Sequence, residues 1–309
     1  MKYIVTGASG FVGRHLVEYL LEKNHKVCAV SRRFNFESLQ NKNLTIKEVS
    51  ILESEQIRKI VLEYRPDVVF HLAAQSSPGE SVKNPSKTFE VNLIGSINLL
   101  EAFKELDYSP RMILSSSSAV YSSAINKEAI KEDHPIRPLS PYGLSKFNME
   151  QIAQMYMQRD GMDITINRPF FLIGPRKVDD VCSSFARSIV TIEKGIDSRV
   201  EVGNLEIIRD FLDIRDAVVA LHIISEQGIS GEIYNISSGL GNSLCDVLDS
   251  FKKLSKFEII EEYQKNRVRS IDELIRIGDS DKLKLLGWKP KYDIKETIFS
   301  ILEYWRKKG

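Results

Sequence analysis

Three glycines close to the amino terminus constrain the fold of this chain more than any other feature. Gly7, Gly10 and Gly13 lie between an apolar stretch, residues 2–6, and an amphipathic stretch that begins at Arg14. The first stretch predicts a short buried strand, and the second predicts a helix. Gly7 permits a sharp turn, Gly10 permits the backbone to approach a phosphate, and Gly13 lets the helix pack closely on the strand.

A helix that starts directly after such a turn presents unpaired N–H groups and partial positive charge to a pyrophosphate. We therefore predict a dinucleotide site. The alternative, a glycine turn that serves flexibility alone, is disfavoured because a strand precedes the turn and a helix follows it. The contacts predicted from this turn are Gly7, Ser9, Gly10, Phe11, Val12 and Gly13.

The end of the second predicted strand bears on which dinucleotide binds. That strand, residues 26–30, is followed by Ser31, Arg32 and Arg33. Sites selective for NAD usually carry an acidic residue here, which holds the ribose 2′-hydroxyl. Ser31 and Arg32 instead offer a hydroxyl and a guanidinium, which suit a 2′-phosphate. NADP(H) is therefore the favoured cofactor, and NAD(H) is the alternative if the arginines are only solvated surface charges.

Strand-like and helix-like stretches alternate along the first half of the chain. Strands are expected near residues 2–6, 26–30, 44–49, 68–72, 111–116 and 163–168, and helices near 11–23, 53–64, 87–106 and 142–159. This alternation predicts an α/β fold built on a doubly wound parallel sheet, the Rossmann fold.

The pattern changes after residue 169. Residues 171–206 are expected to be irregular with one helix near 180–194, followed by a helix at 217–226, a strand at 232–236 and two helices from 241. We predict a Rossmann domain of residues 1–169 plus about 208–240. A smaller α/β C-terminal substrate-binding lobe would comprise about 170–207 plus 241–309 and would roof the strand ends, where ligands bind in such sheets.

Charge and composition exclude several other functions. With 43 basic and 42 acidic residues the net charge is +1, so nothing indicates a nucleic-acid or membrane partner. The three cysteines are widely spaced and the five histidines show no ligand spacing, so neither a disulfide framework nor a metal site is predicted. No apolar run approaches ~18 residues and no signal-peptide pattern opens the chain, which favours a cytoplasmic location.

A tyrosine and a lysine four residues apart carry the predicted chemistry. Tyr142 and Lys146 lie on one face of the helix predicted at 142–159. A nearby ammonium stabilises a phenolate; work near neutral pH requires the tyrosine pKa of ~10 to fall by about three units, or roughly 4 kcal/mol. The tyrosine would then exchange a proton with a carbinol or ketone oxygen. Such spacing alone is weak evidence, and the glycine turn strengthens it by supplying a nucleotide cofactor.

Further motifs run through the whole chain. They are Thr6-Gly7-x-x-Gly10-x-x-Gly13, His71-Leu72-Ala73-Ala74, Val91-Asn92, Ser115-Ser116-Ser117, Tyr142-x-x-x-Lys146, Arg168-Pro169, Arg209-Asp210-Phe211 and Gly287-Trp288-Lys289-Pro290. Together they resemble an extended short-chain dehydrogenase/reductase of the NAD-dependent epimerase/dehydratase superfamily that acts on nucleotide sugars. Within it, the chain is most similar to GDP-4-keto-6-deoxy-D-mannose reductases and the related GDP-mannose dehydratases.

The resemblance implies roles for individual residues. It implies a catalytic set of Ser117, Tyr142 and Lys146, in which Ser117 donates a hydrogen bond to the reacting oxygen. The further implied cofactor contacts are Ile51, Leu72, Ala73, Ala74, Asn92, Ser115, Tyr142, Lys146 and Pro169. The implied substrate contacts are Ser76, Asn204, Arg209, Arg269 and Asp272.

Some of these roles have structural alternatives. The two arginines are candidates for the substrate diphosphate, since guanidinium forks suit phosphate oxygens, and a salt bridge with Asp210 or Asp272 is the alternative. For Asn92 the alternative is a cap at the start of a helix. Family departures at Phe171, Ser270 and Ser50, where relatives carry asparagine, proline and aspartate, leave the sugar and the adenine contact open.

The residue two before Tyr121 distinguishes among reaction types. By resemblance, 4,6-dehydratases carry a glutamate there as a base, and GDP-fucose synthases carry a cysteine for C5 epimerisation. Ala119 occupies this position here, so both reactions lack their base. Hydride exchange at one carbon remains, as in a 4-ketoreductase, the reverse dehydrogenase or a C4-epimerase.

The resulting hypothesis is an NADP(H)-dependent reductase of a nucleotide-linked 4-keto sugar, of the type that converts GDP-4-keto-6-deoxy-D-mannose to GDP-D-rhamnose. A nucleotide-sugar 4-epimerase or an NAD-dependent 4-dehydrogenase on a GDP-hexose or GDP-heptose is the alternative, and a non-catalytic nucleotide-binding protein is a third. The helix that carries Met149, Met155 and Met157 is the predicted homodimer face, with core packing of these methionines as the alternative.

Overall fold

A seven-stranded parallel sheet organises the first half of the chain. The computed structural model describes residues 1–34, 40–123, 128–267 and 273–308. The sheet contains β1 (Lys2–Thr6), β2 (Lys26–Ser31), β3 (Leu44–Glu48), β4 (Val68–His71), β5 (Arg111–Ser115), β6 (Ile164–Pro169) and β10 (Ile233–Ile236). Its order is β10-β6-β5-β4-β1-β2-β3, and every neighbouring pair is parallel. The predicted doubly wound Rossmann sheet is thereby confirmed.

Helices cover both faces of this sheet. On one face, α1 (Phe11–Glu22) and α8 (Ile214–Gln227) pack against the side of β1 that carries Tyr3 and Val5. On the other face, α2 (Ser54–Tyr64), α5 (Gly95–Phe103) and α6 (Pro141–Asp160) pack against the side that carries Ile4. Because successive strand residues point to opposite faces, a strand covered on both sides reads as one continuous apolar run.

The helix predicted over residues 87–106 is divided in the structure. A short α3 (Pro78–Lys83) is followed by α4 (Pro85–Phe89), which passes through a π-helical turn, Glu90–Ile94, into α5. Pro85 begins α4 because proline lacks the N–H that would continue the preceding helix. Asn92 lies inside the π-helical turn, so its alternative role as a helix-start cap is wrong.

Two small sheets build the C-terminal lobe. In the first, β9 (Ile208–Asp213) pairs with β7 (Phe171–Ile173), β11 (Gly241–Ser243) and β13 (Ile275–Arg276). In the second, β8 (Arg199–Val202) pairs with β12 (Ile260–Tyr263). Their helices are α7 (Val181–Glu193), α9 (Leu244–Lys252), α10 (Asp281–Lys284) and α11 (Ile294–Lys308). Most of these elements surround an apolar core of their own.

The prediction that residues 171–206 are irregular apart from one helix is wrong. They contain β7 and β8 as well as α7. Each strand has only three or four residues, too few to show a periodic pattern, and each pairs with a strand distant in sequence. The sheet pairing also places β9 with the lobe, so the chain crosses back to the Rossmann sheet at Asp213 rather than near residue 208. Among the described residues, no helix is both long and apolar enough to cross a membrane.

Candidate active site

The turn after β1 forms a cradle of bare backbone. Gly7 has φ +68°, and a Cβ there would lie 2.7 Å from the main-chain nitrogen of Ala73. A Cβ at Gly13 would lie 2.2 Å from the Gly7 carbonyl oxygen. Gly10 donates to that same oxygen at 2.9 Å and precedes α1, whose first turn carries no acidic residue. This cradle fits a dinucleotide pyrophosphate, because helix N–H groups and close backbone approach are what such a group requires.

The structure brings the predicted cofactor residues together at one edge of the main sheet. Leu72, Ala73 and Ala74 follow β4, Ser115 ends β5 and Pro169 ends β6. The Gly7 turn packs directly on Ala73, across the boundary of β1 and β4 where the strand order reverses. Open α/β sheets bind their ligands at this switch point.

Two predicted cofactor residues near the adenosine end are already engaged with the protein. Ser31 Oγ lies 2.6 Å from Ser9 Oγ, and Ile51 is buried against Gly95. Arg32 is exposed. The register also places Glu48 of β3 opposite Ser31, where its Oε1 accepts a hydrogen bond from the Phe34 amide at 3.0 Å. Local sequence missed this carboxylate, because it reaches Ser31 only through strand pairing.

A buried histidine links β4 to β1 beneath the glycine turn. His71 is 1% exposed; its Nδ1 lies 2.8 Å from Thr6 Oγ1 and its Nε2 lies 2.9 Å from Ser96 Oγ. Thr6 Oγ1 also accepts from the Ala73 amide at 3.2 Å. Burial, with a smaller contribution from Lys146, lowers the pKa of His71 to about 3. The imidazole is therefore neutral at physiological pH and holds the backbone that leads to the predicted cofactor contacts.

The predicted catalytic serine and tyrosine lie next to each other. The Ser117 side chain lies close enough to Tyr142 to act on its pKa, and Ser117 Oγ accepts from the Ala119 amide at 3.1 Å. A Cβ at Gly143 would lie 2.3 Å from the Ala119 carbonyl oxygen, so glycine lets α6 press against this turn. The helix begins here because the Ser140 hydroxyl accepts from the Gly143 amide at 3.1 Å and Pro141 occupies the first helical position.

In the protein alone the pKa of Tyr142 is raised, and its lowering by Lys146 together with a bound cofactor stays a prediction. Burial raises the pKa of Tyr142, and the hydrogen bond from Ser117 only partly opposes it. The Lys146 ammonium is instead 2.6 Å from the Ser115 carbonyl oxygen, to which it donates. Tyr142 therefore keeps its proton at neutral pH and is suited to donate it.

Beneath this pair, α6 buries three charged side chains. Lys146 is 3% exposed, and its burial lowers its pKa to about 8. Glu150, one turn further on and fully buried, accepts from Arg168 Nε at 2.9 Å and from Nη2 at 2.6 Å. The Arg168 guanidinium also lies over the Tyr121 ring, 4.7 Å from its centroid. The sequence reading missed Glu150, although its spacing of four from Lys146 was a usable signal.

Asn92 supports the site from behind rather than facing a ligand. It is fully buried, and its Oδ1 accepts from the Gln75 amide at 2.7 Å. Its Nδ2 donates to the Gln75 carbonyl at 3.1 Å and to Ser145 Oγ at 2.9 Å. Both donors of the amide are thus used within the protein. Asn92 thus ties the segment after β4 to α6, and its direct contact with the cofactor stays a prediction.

The predicted substrate residues are only partly brought together. Ser76 is exposed after β4, Asn204 accepts a hydrogen bond from the Glu206 amide at 2.9 Å, and Arg209 on β9 donates to the Ile208 carbonyl at 2.9 Å. Arg269 and Asp272 lie outside the described residues. The roles of all five stay predictions.

A salt bridge between Arg209 and Asp210 is wrong as an alternative, because Asp210 faces the protein interior. Its Oδ1 accepts from the Ser238 amide and hydroxyl at 2.7 and 2.6 Å. Its Oδ2 accepts from the amides of Gly239 and Gly278 at 2.9 and 3.1 Å. Burial raises the pKa of Asp210 despite these bonds. This carboxylate joins three segments of the lobe.

Sequence comparison places the chain among enzymes of nucleotide sugars. A profile of the GDP-mannose 4,6 dehydratase family matches residues 4–301. A GDP-6-deoxy-D-mannose reductase from Pseudomonas aeruginosa is 30% identical, with 99% of this chain and 98% of that protein covered. A putative UDP-glucose 4-epimerase from Methanocaldococcus jannaschii is 32% identical, with 97% of each covered.

Solved structures show the same architecture. A UDP-glucose 4-epimerase from Thermotoga maritima with UDP-glucose superposes with a TM-score of 0.90 at 29% identity, covering 100% of this chain and 99% of that one. The Pseudomonas aeruginosa protein RMD in complex with NADPH gives 0.86 at 29% identity, with the same coverage. A Thermus thermophilus UDP-glucose 4-epimerase with NAD gives 0.87 at 28% identity, covering 99% of each. The chain is similar to proteins that bind either nicotinamide cofactor.

Proposed function

Because the chain belongs to the GDP-mannose 4,6 dehydratase family, an extended short-chain dehydrogenase/reductase family of nucleotide-sugar enzymes, we propose that it reduces a nucleotide-linked 4-keto sugar with NADPH. The favoured substrate is GDP-4-keto-6-deoxy-D-mannose, and the product would be GDP-D-rhamnose. Membership in this family of oxidoreductases and epimerases sets aside the non-catalytic alternative.

One observation carries the proposal. Ala119, which stands where dehydratase and C5-epimerase relatives would carry an acid or a thiol, lies in the turn that follows Ser117, and its amide donates to the Ser117 hydroxyl oxygen. The segment thus supplies hydroxyls for proton donation but no base for C–H deprotonation. The raised pKa of Tyr142 supports the reductive direction, because a reductase needs a protonated donor.

The proposed mechanism assigns one task to each side chain. When bound, the nicotinamide supplies the hydride that converts the C4 ketone to an alkoxide. Tyr142 donates its proton to that oxygen, while Ser117 donates a hydrogen bond to the oxygen as negative charge develops. Lys146, 2.6 Å from the Ser115 carbonyl oxygen, stabilises the tyrosine phenolate left behind until solvent returns its proton.

The NADPH preference rests on the adenosine end of the site. Arg32 is exposed beside Ser31, where a 2′-phosphate would find a guanidinium. Glu48 opposes this preference, because its carboxylate lies on the neighbouring strand in register with Ser31. Its bond to the Phe34 amide ties that carboxylate to the protein, which supports NADP(H) over NAD(H).

A 4-epimerase or 4-dehydrogenase is the second candidate. The relatives favour it directly: several carry the name UDP-glucose 4-epimerase, and one from Aggregatibacter actinomycetemcomitans, 28% identical, is named GDP-6-deoxy-D-talose 4-dehydrogenase. An epimerase would retain its cofactor and show no net consumption of NADPH, which separates it from a reductase.

The test is a kinetic assay with purified protein, GDP-4-keto-6-deoxy-D-mannose and NADPH, followed by loss of NADPH absorbance and identification of the sugar product. Tyr142→Phe should lower kcat by about 10²- to 10⁴-fold and leave the NADPH Kd within about twofold. Tyr108→Phe, which removes a hydroxyl bonded to the Pro66 carbonyl far from the site, is the matched control. A fully active Tyr142→Phe enzyme, or sugar interconversion without NADPH loss, overturns the proposal.

The nucleotide is tested separately by thermal stability with GDP, UDP, dTDP or CDP, each with NAD or NADP. A ligand that binds only the folded state raises Tm, so the largest shift is expected with GDP and NADP together. A larger shift with UDP or with NAD would redirect the assignment to the second candidate.

We also propose a homodimer through the outer face of α6 and the π-helical turn that leads into α5. Met149 is 1% exposed and belongs to the core, but Ile94, Leu144 and Met155 are between 42% and 47% exposed. Apolar side chains on adjacent helices favour association with a second copy. Sedimentation showing a monomer at micromolar concentration would refute it.

A further inference from the structure

Arg276 reaches from the substrate lobe to the turn that carries Ser117. It ends β13, in register with Arg209 on β9. Its Nη1 donates to the Ser118 carbonyl oxygen, and its Nη2 donates to the Tyr121 carbonyl oxygen at 3.4 Å. These two carbonyls bracket the short 3₁₀ turn, Ser118–Val120. One guanidinium fork therefore holds both ends of the turn.

The guanidinium is partly buried and its charge is balanced within the lobe. The Arg276 side chain is 12% exposed, and the side chain of its partner, Glu273, is 15% exposed. Glu273 Oε2 accepts from Arg276 Nε at 2.5 Å. Charge-assisted hydrogen bonds of this kind are strong away from water, and the planar fork sets their direction. Arg276 is thus bonded to Glu273 of the lobe through one edge of its guanidinium and to the turn through its terminal nitrogens.

The Ser118–Val120 turn, to which Arg276 is bonded, determines where the Ser117 hydroxyl points. The Ser118 carbonyl also accepts from the Tyr121 amide at 3.1 Å, which closes the turn, and the Ala119 amide donates to Ser117 Oγ at 3.1 Å. The close contact of Gly143 with Ala119 presses α6 against the other side. A shift of the turn between these supports would move Ser117 relative to Tyr142.

We propose that Arg276 is a positioning residue that acts through Ser117 and links the nucleotide-sugar lobe to proton donation. This inference rests on the proposed function of Ser117 and Tyr142. Arg209, which is paired with Arg276 across β9 and β13, is the predicted diphosphate contact. A substrate bound to Arg209 would therefore contact the same small sheet from which Arg276 reaches the turn. Neither Arg276 nor Glu273 belongs to any motif found in the sequence, because a single arginine on a two-residue strand has no pattern.

The lobe does not depend on Arg276 for its attachment. Asn235 Nδ2 donates to the Asp279 carbonyl at 3.1 Å. The Ile130 amide donates to the Ile277 carbonyl at 2.8 Å, and the Asp279 amide donates to the Ile130 carbonyl at 2.9 Å. The Trp288 indole, 1% exposed, donates to the Asp216 carbonyl at 3.1 Å. Removal of Arg276 should therefore disturb kcat more than the stability of the fold.

A double-mutant cycle tests the proposal. Arg276→Met should lower kcat by about 10- to 100-fold, because small displacements of a reacting group have effects of that size, while KM for the sugar nucleotide stays within about threefold. In a Ser117→Ala background the same substitution should change kcat by no more than about twofold, since its target is gone. Arg276→Lys keeps the charge but not the fork, and should recover only part of the loss.

The matched control is Arg199→Met in the same lobe. Arg199 forms an exposed ion pair with Glu262 across β8 and β12, with 2.8 Å between the charged atoms. Its substitution by methionine should leave kcat unchanged in both backgrounds. An equal loss of kcat for Arg276→Met with and without Ser117, or a loss confined to KM and Tm, would overturn the positioning role.

Hydrogen exchange separates this proposal from the proposed function, because it needs no substrate. Arg276→Met should speed exchange of the Ala119, Val120 and Tyr121 amides by about tenfold or more, with little change elsewhere in α6. Unchanged exchange there would refute the grip of Arg276 even in an active enzyme. Failure of the proposed function would instead appear as a wild-type protein that reduces no 4-keto sugar while this exchange effect persists.

Discussion

Helix α6 and the C-terminal lobe bury charge in different ways. On the buried side of α6, Glu150 pairs with Arg168 of β6, and the Lys146 ammonium adds a second positive charge nearby. In the lobe, Asp210 is surrounded by three main-chain amides and one hydroxyl, all of them neutral. The stability of the first cluster depends on the sum of its charges. The stability of the buried Asp210 carboxylate depends on hydrogen-bond donors that point toward it.

This difference predicts opposite responses to substitution. Removal of one member of the α6 cluster leaves a net buried charge or removes one, according to which member is lost. Removal of the charge from Asp210 leaves donors without acceptors but no uncompensated ion. Three experiments test the contrast and a fourth tests the buried His71, in order of decreasing effect on the free energy of unfolding.

Arg168→Met should lower the free energy of unfolding by about 3–5 kcal/mol, because Glu150 is fully buried and loses both of its guanidinium bonds. Urea unfolding measures the change. The control is Arg58→Met, whose partner Glu105 and own side chain are each more than 40% exposed, and which should lose less than about 1 kcal/mol. Similar losses in both variants would show that burial of the Arg168 pair is unimportant.

Asp210→Asn should lower the free energy of unfolding by about 2 kcal/mol. The asparagine NH₂ would face either the Gly239 and Gly278 amides or the Ser238 amide and hydroxyl, and so leaves buried donors unpaired. Loss of the buried charge, whose pKa is raised, offsets part of this. Asp197→Asn, on an exposed carboxylate that also accepts from two amides, is the control. A loss as large as that of Arg168→Met would remove the contrast between the two regions.

Lys146→Met should raise the free energy of unfolding by about 1 kcal/mol and abolish turnover. Burial lowers the pKa of Lys146 to about 8, so the charged form is disfavoured by folding at neutral pH, and the remaining Glu150–Arg168 pair is neutral overall. Thermal unfolding and the NADPH assay give the two readouts. A destabilised Lys146→Met protein would mean that the ammonium is needed to balance Glu150. Lys104→Met, on an exposed lysine, should leave both readouts unchanged.

Mild acid should destabilise the Rossmann half through His71. Its folded pKa of about 3 lies below the unfolded value, so the unfolded chain binds a proton that the folded chain excludes. The stabilisation is complete above pH ~6.5 and declines as pH falls; roughly 1 kcal/mol is lost from His71 by about pH 5.5. Urea unfolding of the wild type and of His71→Asn at about pH 7 and about pH 5.5 measures this loss of stability. Equal pH dependence in the two proteins would contradict the assignment.

The main sheet was largely predictable because its signals are local. The strands predicted near 2–6, 68–72 and 111–116 agree with β1, β4 and β5 to within a residue. Each is an apolar run bounded by turn residues, and burial on both faces makes such runs conspicuous. The lobe strands β7, β8 and β13 have two to four residues and acquire their partners from distant segments, so no periodic pattern could reveal them.

The features of the candidate site also fall into those set by neighbouring residues and those set by residues distant in sequence. The glycine turn and the pair Tyr142 and Lys146 were readable, because a turn and a helix face are set by neighbours in sequence. The direction of the Tyr142 pKa shift was not, since it depends chiefly on how deeply the tertiary fold buries this side chain. Glu48, Asp210 and Arg276 were missed for the same reason, because each acts on residues of another element.

By itself, the sequence determined the parallel sheet, the backbone cradle for a dinucleotide and the hydroxyl chemistry beside Ala119. Each follows from steric and hydrogen-bonding rules that operate within a few residues. Only the tertiary structure decided which charges are buried, which partners they pair with and that Arg276 of the C-terminal lobe bonds the turn after Ser117. Desolvation and charge balance depend on everything packed around a group, and only the packing of distant elements brings those groups together.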